Sequence, residues 1–174
     1  LVYCSKKAYP GGTVGHKNAI LKYLPLNANG LQSIPYDIWS ILHSIKKADS
    51  LLILGVSGCF VLPLVRLITR KKIVVNIDGL EWKRDKWGKF ARKFLKFSER
   101  IAVKYANDIV ADNKVIQDYV FKSYRKNAQL IAYGGDHTQS EDISPDTILN
   151  FPFLNEPYAF KVCRIEPENN IELI

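Results

Sequence analysis

The 174-residue sequence has few of the residues that build metal centres and disulfide frameworks. Its three cysteines, Cys4, Cys59 and Cys163, lie far apart without a C-x-x-C pair, and its three histidines are scattered. Zinc sites and disulfide-stapled domains need such residues at short, fixed spacings. We therefore expect free thiols and predict that the chain uses neither a metal nor another bound cofactor.

A long apolar run is also absent. The longest candidate, residues 51–69, is interrupted by two glycines, a proline and an arginine, whereas a membrane-spanning helix needs about 18 consecutive apolar residues. No basic and apolar leader opens the sequence, and its first residue is Leu1 instead of methionine. We therefore expect a cytoplasmic protein and an excised boundary at the start of this chain.

The composition that remains is that of an ordinary globular protein. With 47% hydrophobic and 24% charged residues the chain is predicted to fold, and its length suits one complete domain. The net charge of +8 is unevenly spread: residues 83–104 hold nine basic and two acidic residues, and residues 136–174 hold two basic and eight acidic ones. We therefore predict one basic face and an acidic tail.

Short apolar or β-branched runs alternate with longer helical stretches, which is typical of β-α-β units around a parallel sheet. The pattern predicts helices at residues 36–47, 60–68, 86–105 and 115–124. It predicts strands at residues 1–4, 19–23, 51–56, 73–77, 108–111, 129–132 and 158–162. The fold class is thus α/β, a doubly wound, Rossmann-like parallel sheet, and the apolar run 73–77 is its expected central strand, covered by helices on both faces.

The polar, proline-containing stretch at residues 137–157 predicts a linker with a short helix. We place a domain boundary near residue 155. Residues 1–155 are expected to form an N-terminal Rossmann-like domain with its linker, and residues 156–174 the first strand and helix start of a second domain.

The turn after the predicted central strand is the main candidate site, because ligands of open parallel sheets bind beyond the carboxyl ends of the strands. It contains Asp78, which would either serve the site or cap the helix that follows. The glycine-rich stretch at residues 10–17 lacks the spacing of a phosphate loop and is interpreted as a mobile loop. No Ser-His-Asp or Cys-His constellation can be assembled from the residue types.

The basic segment at residues 86–105 repeats aromatic and aliphatic residues at helical spacing. It allows a core-packed helix with a solvated charged face, an interfacial helix that meets acyl chains and anionic headgroups, or a nucleic-acid surface. Nucleic acid is not expected, since no recognition motif accompanies the charge. The candidate membrane-binding residues are Lys86, Trp87, Lys89, Arg92, Lys93 and Lys96.

Three separated blocks of sequence resemble a known family. Residues 75–84 (VNIDGLEWKR), 109–113 (IVADN) with 131–136 (IAYGGD), and 164–174 (RIEPENNIELI) stand in the order found in rhamnosyltransferase-type enzymes of glycosyltransferase family 4. The resemblance implies half of a GT-B architecture, truncated at both ends: an acceptor-side domain whose first strand and glycine-rich loop precede Leu1, followed by the start of a donor-binding domain.

The resemblance also implies an activity, which is retaining, metal-independent transfer of a hexosyl group, rhamnosyl in this subgroup, from a nucleotide sugar such as dTDP-rhamnose. The implied acceptor is an undecaprenyl-diphosphate-linked saccharide of O-antigen or capsule synthesis, at the anionic inner face of the membrane. This 174-residue chain alone is expected to be inert. The alternative is a non-catalytic α/β module that binds a glycan or an anionic membrane.

Site residues follow from the same resemblance. Asp78 stands where many family members place a histidine near the reacting sugar, and the acceptor-side turn continues with Gly79, Glu81 and Trp82. Arg164 matches the arginine that contacts the donor diphosphate. Asn169 and Asn170 replace the Lys-Gly pair of many relatives, and Cys163 replaces a glycine, so the sequence departs from the family's usual donor loop at these positions.

Overall fold

The computed structural model describes residues 1–135, 142–159, 161–163, 169 and 171–173. They fall into two compact units, Leu1–Ala132 and Tyr133–Ile174. The strands of the first unit are β1 (Val2–Ser5), β2 (Gly15–His16), β3 (Ala19–Leu24), β4 (Ser50–Leu54), β5 (Lys72–Ile77), β6 (Asp108–Ala111) and β7 (Gln129–Leu130). Its α-helices are α1 (Ser33–Ser44), α2 (Leu62–Ile68), α3 (Lys89–Tyr105) and α4 (Lys114–Tyr124).

The predicted α/β class is confirmed by a four-stranded, all-parallel sheet with the order β4-β5-β6-β7, flanked by helices in a Rossmann-like arrangement. A second sheet has the order β1-β3-β2; there β1 runs parallel to β3, and β2 pairs antiparallel with it. A groove of about 400 Å³ is lined by β1, β4 and α1.

The core lies on one face of the four-stranded sheet. Alternate residues of β5, namely Ile73, Val75 and Ile77, are fully buried and belong to one cluster with residues of α2, α3 and α4. Each crossover from β4 to β7 advances in the same direction, and right-handed crossovers then place their helices on the same face. The opposite face is more open, since Leu52 and Leu54 of β4 are 66% and 69% exposed. Helices α2, α3 and α4 thus pack on one face of β5, and not on both faces as the sequence predicted.

In its described residues the second unit contains α5 (Pro145–Asn150) and the short 3-10 helices Pro152–Asn155 and Ile171–Leu173. Ser144 caps α5, because its side chain accepts the Thr147 backbone N–H at 3.2 Å. The short helix predicted within residues 137–157 is thus confirmed.

The strand predicted at residues 158–162 is wrong for the part of that segment that the structure describes, where the backbone is irregular. A strand is stabilised by a hydrogen-bonded neighbour, and the described part of the second unit supplies none. The domain boundary near residue 155 stays a prediction.

None of the helices in the described ranges combines the length and the apolar character needed to cross a bilayer.

Candidate functional site

The candidate site lies at the carboxyl ends of β4, β5 and β6. Ile77 and Ala111 are register partners in the parallel pair β5–β6, so the residues that follow them, Asp78 and Asp112, leave the sheet side by side. On the other side of β5, the Gly55 N–H donates to the Asn76 carbonyl at 3.0 Å and continues the ladder past β4. This edge is where ligands bind in open parallel sheets.

Asp78 is an exposed residue at this edge, and its carboxyl group is partly desolvated. Partial desolvation by the surrounding turn raises its pKa; the charges of Asp112 and Glu81 raise it further, while its own backbone N–H and Arg84 oppose them. Desolvation and nearby negative charges destabilise the ionised form of this carboxyl group, and a hydrogen bond from a ligand would stabilise it. Asp78 is therefore suited to accept a hydrogen bond from a hydroxyl-bearing ligand.

Glu81 opens the 3-10 turn Glu81–Lys83 that follows Asp78. Its carboxylate accepts hydrogen bonds from Lys86 Nζ at 2.7 Å and Trp87 Nε1 at 2.9 Å, and it pairs with Arg84 at 3.3 Å. Burial alone would raise the pKa of Glu81, but these hydrogen bonds and the charges of Lys86 and Arg84 lower it. Glu81 thus stabilises the turn, and its carboxylate oxygens already accept hydrogen bonds from other side chains of the chain.

Trp82, a further predicted residue of this turn, is anchored on the fully buried Glu99 of α3. Its Nε1–H donates to Glu99 Oε2 at 3.1 Å. Glu99 Oε1 also accepts from Lys96 Nζ at 3.1 Å, from the Tyr119 hydroxyl at 2.5 Å and from the Tyr124 hydroxyl. Four donors therefore satisfy one buried carboxylate, as a buried charge requires.

Lys96 completes this arrangement as a cation among aromatic rings. Its Nζ lies 4.4 Å from the centroid of the Trp82 ring, 4.6 Å from that of Tyr119 and 5.1 Å from that of Tyr124. Cations over aromatic faces at these distances are attracted by the ring quadrupole. We call Glu99, Lys96, Trp82, Tyr119 and Tyr124 the Glu99 cluster; it ties the site turn to α3 and α4.

Ser98, the residue before Glu99, anchors the turn that follows β4 to helix α3. Ser98, fully buried, donates its hydroxyl to the Val56 carbonyl at 2.5 Å, so α3 holds the segment after β4 as well as the turn after β5. The anchoring roles of Glu99 and Ser98 were not predicted from the sequence. One feature of the sequence does indicate their burial: Ser98 and Glu99 are spaced along the helix so that they share the buried face of α3 with Leu95, Ala102 and Val103.

A further carboxylate at this edge, that of Asp37 in α1, was not predicted from the sequence. Its side chain accepts the Ser57 hydroxyl and faces the groove between β1 and β4. Burial raises the pKa of Asp37 to about 6, although hydrogen bonds from Ser57 and the Gly58 backbone oppose the shift. A side chain at Gly58 would clash, because a Cβ atom there would lie 2.4 Å from the Asp37 Cβ atom.

The raised pKa of Asp37 predicts a pH-dependent stability. The folded chain binds this proton more tightly than the unfolded chain, whose aspartate pKa is 3.8, so the contribution is full below pH 3.8 and is lost as the pH rises to about 6. We expect Asp37→Asn to remove about 3 kcal/mol of pH dependence from the free energy of unfolding over that interval. Urea titrations of both proteins across it measure this; superimposable slopes would contradict the assignment.

The central strand β5 also contains a buried polar side chain, that of Asn76. Within the described part of the chain, Asn76 Oδ1 is buried without a hydrogen-bond partner, two residues before Asp78. Buried acceptors are normally paired, so an unpaired one calls for an explanation, and a role in a nearby site is one such explanation.

Of the predicted donor-side residues, the structure describes Asn169 alone. Arg164 and Asn170 fall outside the described residues. The Asn169 carbonyl accepts a hydrogen bond from Lys161 Nζ at 2.7 Å. Among the described residues, no group of three or more histidine, cysteine or acidic side chains is placed to hold a metal ion.

The chain matches the model of a known protein family. Residues 21–136 match the family described as a domain of unknown function, DUF1972. A search of curated proteins found no match. The matched stretch contains the last four residues of β3, all of β4 to β7, the turns after β4 and β5, and the Glu99 cluster. Because the match spans two thirds of the sequence, the chain belongs to the DUF1972 family.

Proposed function

We propose that the chain is the acceptor-side part of a glycosyltransferase that transfers a hexosyl group from a nucleotide sugar to a lipid-linked saccharide. The observation that carries the proposal is the placement of Asp78, an exposed carboxylate with a raised pKa at the carboxyl end of the central parallel strand. The family context agrees with it, since DUF1972 occurs in glycosyltransferase-associated proteins.

Asp78 would act on the sugar hydroxyl or on the reacting carbon. A carboxylate that accepts the acceptor hydroxyl's hydrogen bond holds the oxygen against the anomeric carbon, and its negative charge stabilises the oxocarbenium character of the transition state. The Glu99 cluster and Glu81 support this role by fixing the turn that carries Asp78. Rigid support of a reacting group is what positional catalysis needs.

The donor half of the proposal depends on the resemblance to family 4. Arg164, with Asn169 and Asn170 nearby in sequence, would bind the diphosphate of the donor, because a guanidinium fork matches phosphate oxygens and neutralises the leaving group without a metal. We propose dTDP-rhamnose as the donor and an undecaprenyl-diphosphate-linked saccharide as the acceptor, in the synthesis of a surface polysaccharide.

A transfer assay tests the proposal. The complete gene product that contains residues 1–174 is incubated with dTDP-rhamnose labelled in the sugar and with lipid-linked saccharides extracted from the source cells. We expect label in the lipid fraction without added divalent metal and in the presence of a chelator. UDP-glucose serves as the control donor and is expected to give less product.

Two outcomes would overturn the proposal. Transfer that requires a divalent metal would contradict the metal-free donor site. Saccharide binding without any transfer would favour the alternative, a non-catalytic glycan-binding module.

A further inference from the structure

Helix α3 presents an exposed face that the proposed site does not use. Its buried face is formed by the residues that pack on the core and on the Glu99 cluster. On the solvent side, Phe90 is 87% exposed and Phe97 is 55% exposed. We call this face the α3 stripe; its six residues, all exposed, are Lys89, Phe90, Lys93, Phe97, Arg100 and Lys104.

The α3 stripe is narrow and long. With about 100° of rotation per residue, its six members fall within an arc of roughly 100°, and they extend over about 23 Å of helix. Four cations and two phenylalanines therefore share one surface, and that surface contains no acidic residue.

The cations of the α3 stripe differ from the other basic residues of this segment. Lys86 and Lys96 are bound to Glu81 and Glu99, and Arg92 pairs with Asp85 at 2.9 Å. Within the described residues, Lys89, Lys93 and Arg100 have no acidic partner, and Lys104 contacts only the Tyr105 ring at 5.5 Å. The structure thus divides the six membrane-binding candidates: Lys89 and Lys93 are available for a partner, and the others serve the fold.

We infer that the α3 stripe docks the protein on an anionic lipid surface. Two phenylalanines flanked by cations match the chemistry of the membrane interface, where aromatic rings enter the headgroup and acyl boundary and basic side chains meet lipid phosphates. Exposure of the two phenylalanine rings to water is unfavourable, and their transfer into an apolar environment would lower the free energy. Charge complementarity selects an anionic surface, and the inference does not depend on the proposed transfer activity.

Vesicle sedimentation of the 174-residue chain tests this inference. The vesicles contain phosphatidylglycerol and phosphatidylcholine in equal parts, and vesicles of phosphatidylcholine alone are the reference. We expect binding only to the anionic vesicles, weakened by added salt because exposed charges are screened over about 8 Å at ~0.15 M ionic strength.

Two variants separate the contributions of charge and apolar area. K93Q/R100Q/K104Q is expected to lower the partition coefficient about 100-fold, since each basic residue at an anionic surface contributes roughly fivefold. F90S/F97S is expected to lower it roughly tenfold and to lose the binding that remains at high salt. The matched control K46Q/K47Q/K122Q removes the same charge from exposed lysines elsewhere and is expected to bind like the unmodified chain.

The outcomes that would overturn the inference are distinct. Equal loss in K46Q/K47Q/K122Q would show that only net charge matters. Unchanged binding of F90S/F97S would remove the interfacial role of the phenylalanines. Binding of a single-stranded oligonucleotide that depends on the stripe, without vesicle binding, would assign the surface to nucleic acid. Thermal unfolding midpoints of all variants establish that they are folded.

Discussion

Replacement of Asp78 by asparagine is expected to lower the turnover of the complete gene product about 100-fold or more, the effect typical of a positioned catalytic carboxylate. Asparagine keeps the shape of the side chain but removes the charge that would stabilise the developing positive carbon. Because the ground-state contacts of the acceptor depend less on that charge, kcat should fall more than KM rises. Steady-state rates of sugar transfer at saturating donor measure the effect.

The fold should not suffer from this change. Asp78 is exposed, and its negative charge lies near those of Asp112 and Glu81. Removing it relieves repulsion, so the free energy of unfolding is expected to stay within about 0.5 kcal/mol. Asp118→Asn, on α4, is the matched control and should turn over normally. The helix-capping alternative is wrong, since the 3-10 helix Glu81–Lys83 begins after Leu80 and α3 after Gly88, both without a side-chain cap. A clear loss of stability in Asp78→Asn with near-normal turnover would therefore assign Asp78 a different structural role.

Replacement of Glu99 by glutamine is expected to destabilise the chain by about 3 kcal/mol, a large part of the ~5–15 kcal/mol that holds a typical domain folded. The Glu99 oxygens receive four donors from Trp82, Lys96, Tyr119 and Tyr124. A glutamine amide has only one oxygen, so its NH₂ group must face a donor, and a buried donor is left unpaired. Urea unfolding followed by tryptophan fluorescence measures the loss.

The control for Glu99 is an exposed ion pair in the same segment. Asp85 pairs with Arg92, but its side chain is 89% exposed, and exposed pairs contribute at most about 1 kcal/mol. Asp85→Asn is therefore expected to unfold at nearly the same urea concentration as the unmodified chain. Equal unfolding midpoints for Glu99→Gln and Asp85→Asn would contradict the anchoring role of the Glu99 cluster.

The turn after the central strand was predictable from the sequence, whereas the contacts that support this turn were not. The central strand was recognisable because buried parallel strands are continuously apolar, and the turn after it follows from topology. Asp37 belongs to no motif, and the position of Ser98 on the buried face of α3 does not reveal its partner. Their partners Ser57 and Val56 are 20 and 42 residues away in sequence, and such contacts form only when helices pack on the sheet.

For the basic helix, too, the sequence predicted the helix itself but not its packing. The sequence predicted a helix with aromatic residues at helical spacing, and α3 spans Lys89–Tyr105. It did not predict that Phe94 would pack on Phe60 with ring centroids 5.3 Å apart, whereas Phe90 and Phe97 stay exposed. The exposed side of a helix depends on the neighbour it packs against, and a pattern with aromatic residues over a wide arc allows several orientations.

By itself, the sequence determined the α/β class, the order of most strands and helices, and the position of Asp78 at a carboxyl end. These are local properties, set by apolar periodicity and by short connections between neighbouring elements. Only the tertiary structure decided which charges are available and which are bound: Glu81 and Glu99 are held by donors, and Lys93 and Arg100 face solvent. The physical reason is that burial and pairing depend on residues distant in sequence, which only the packed chain brings together.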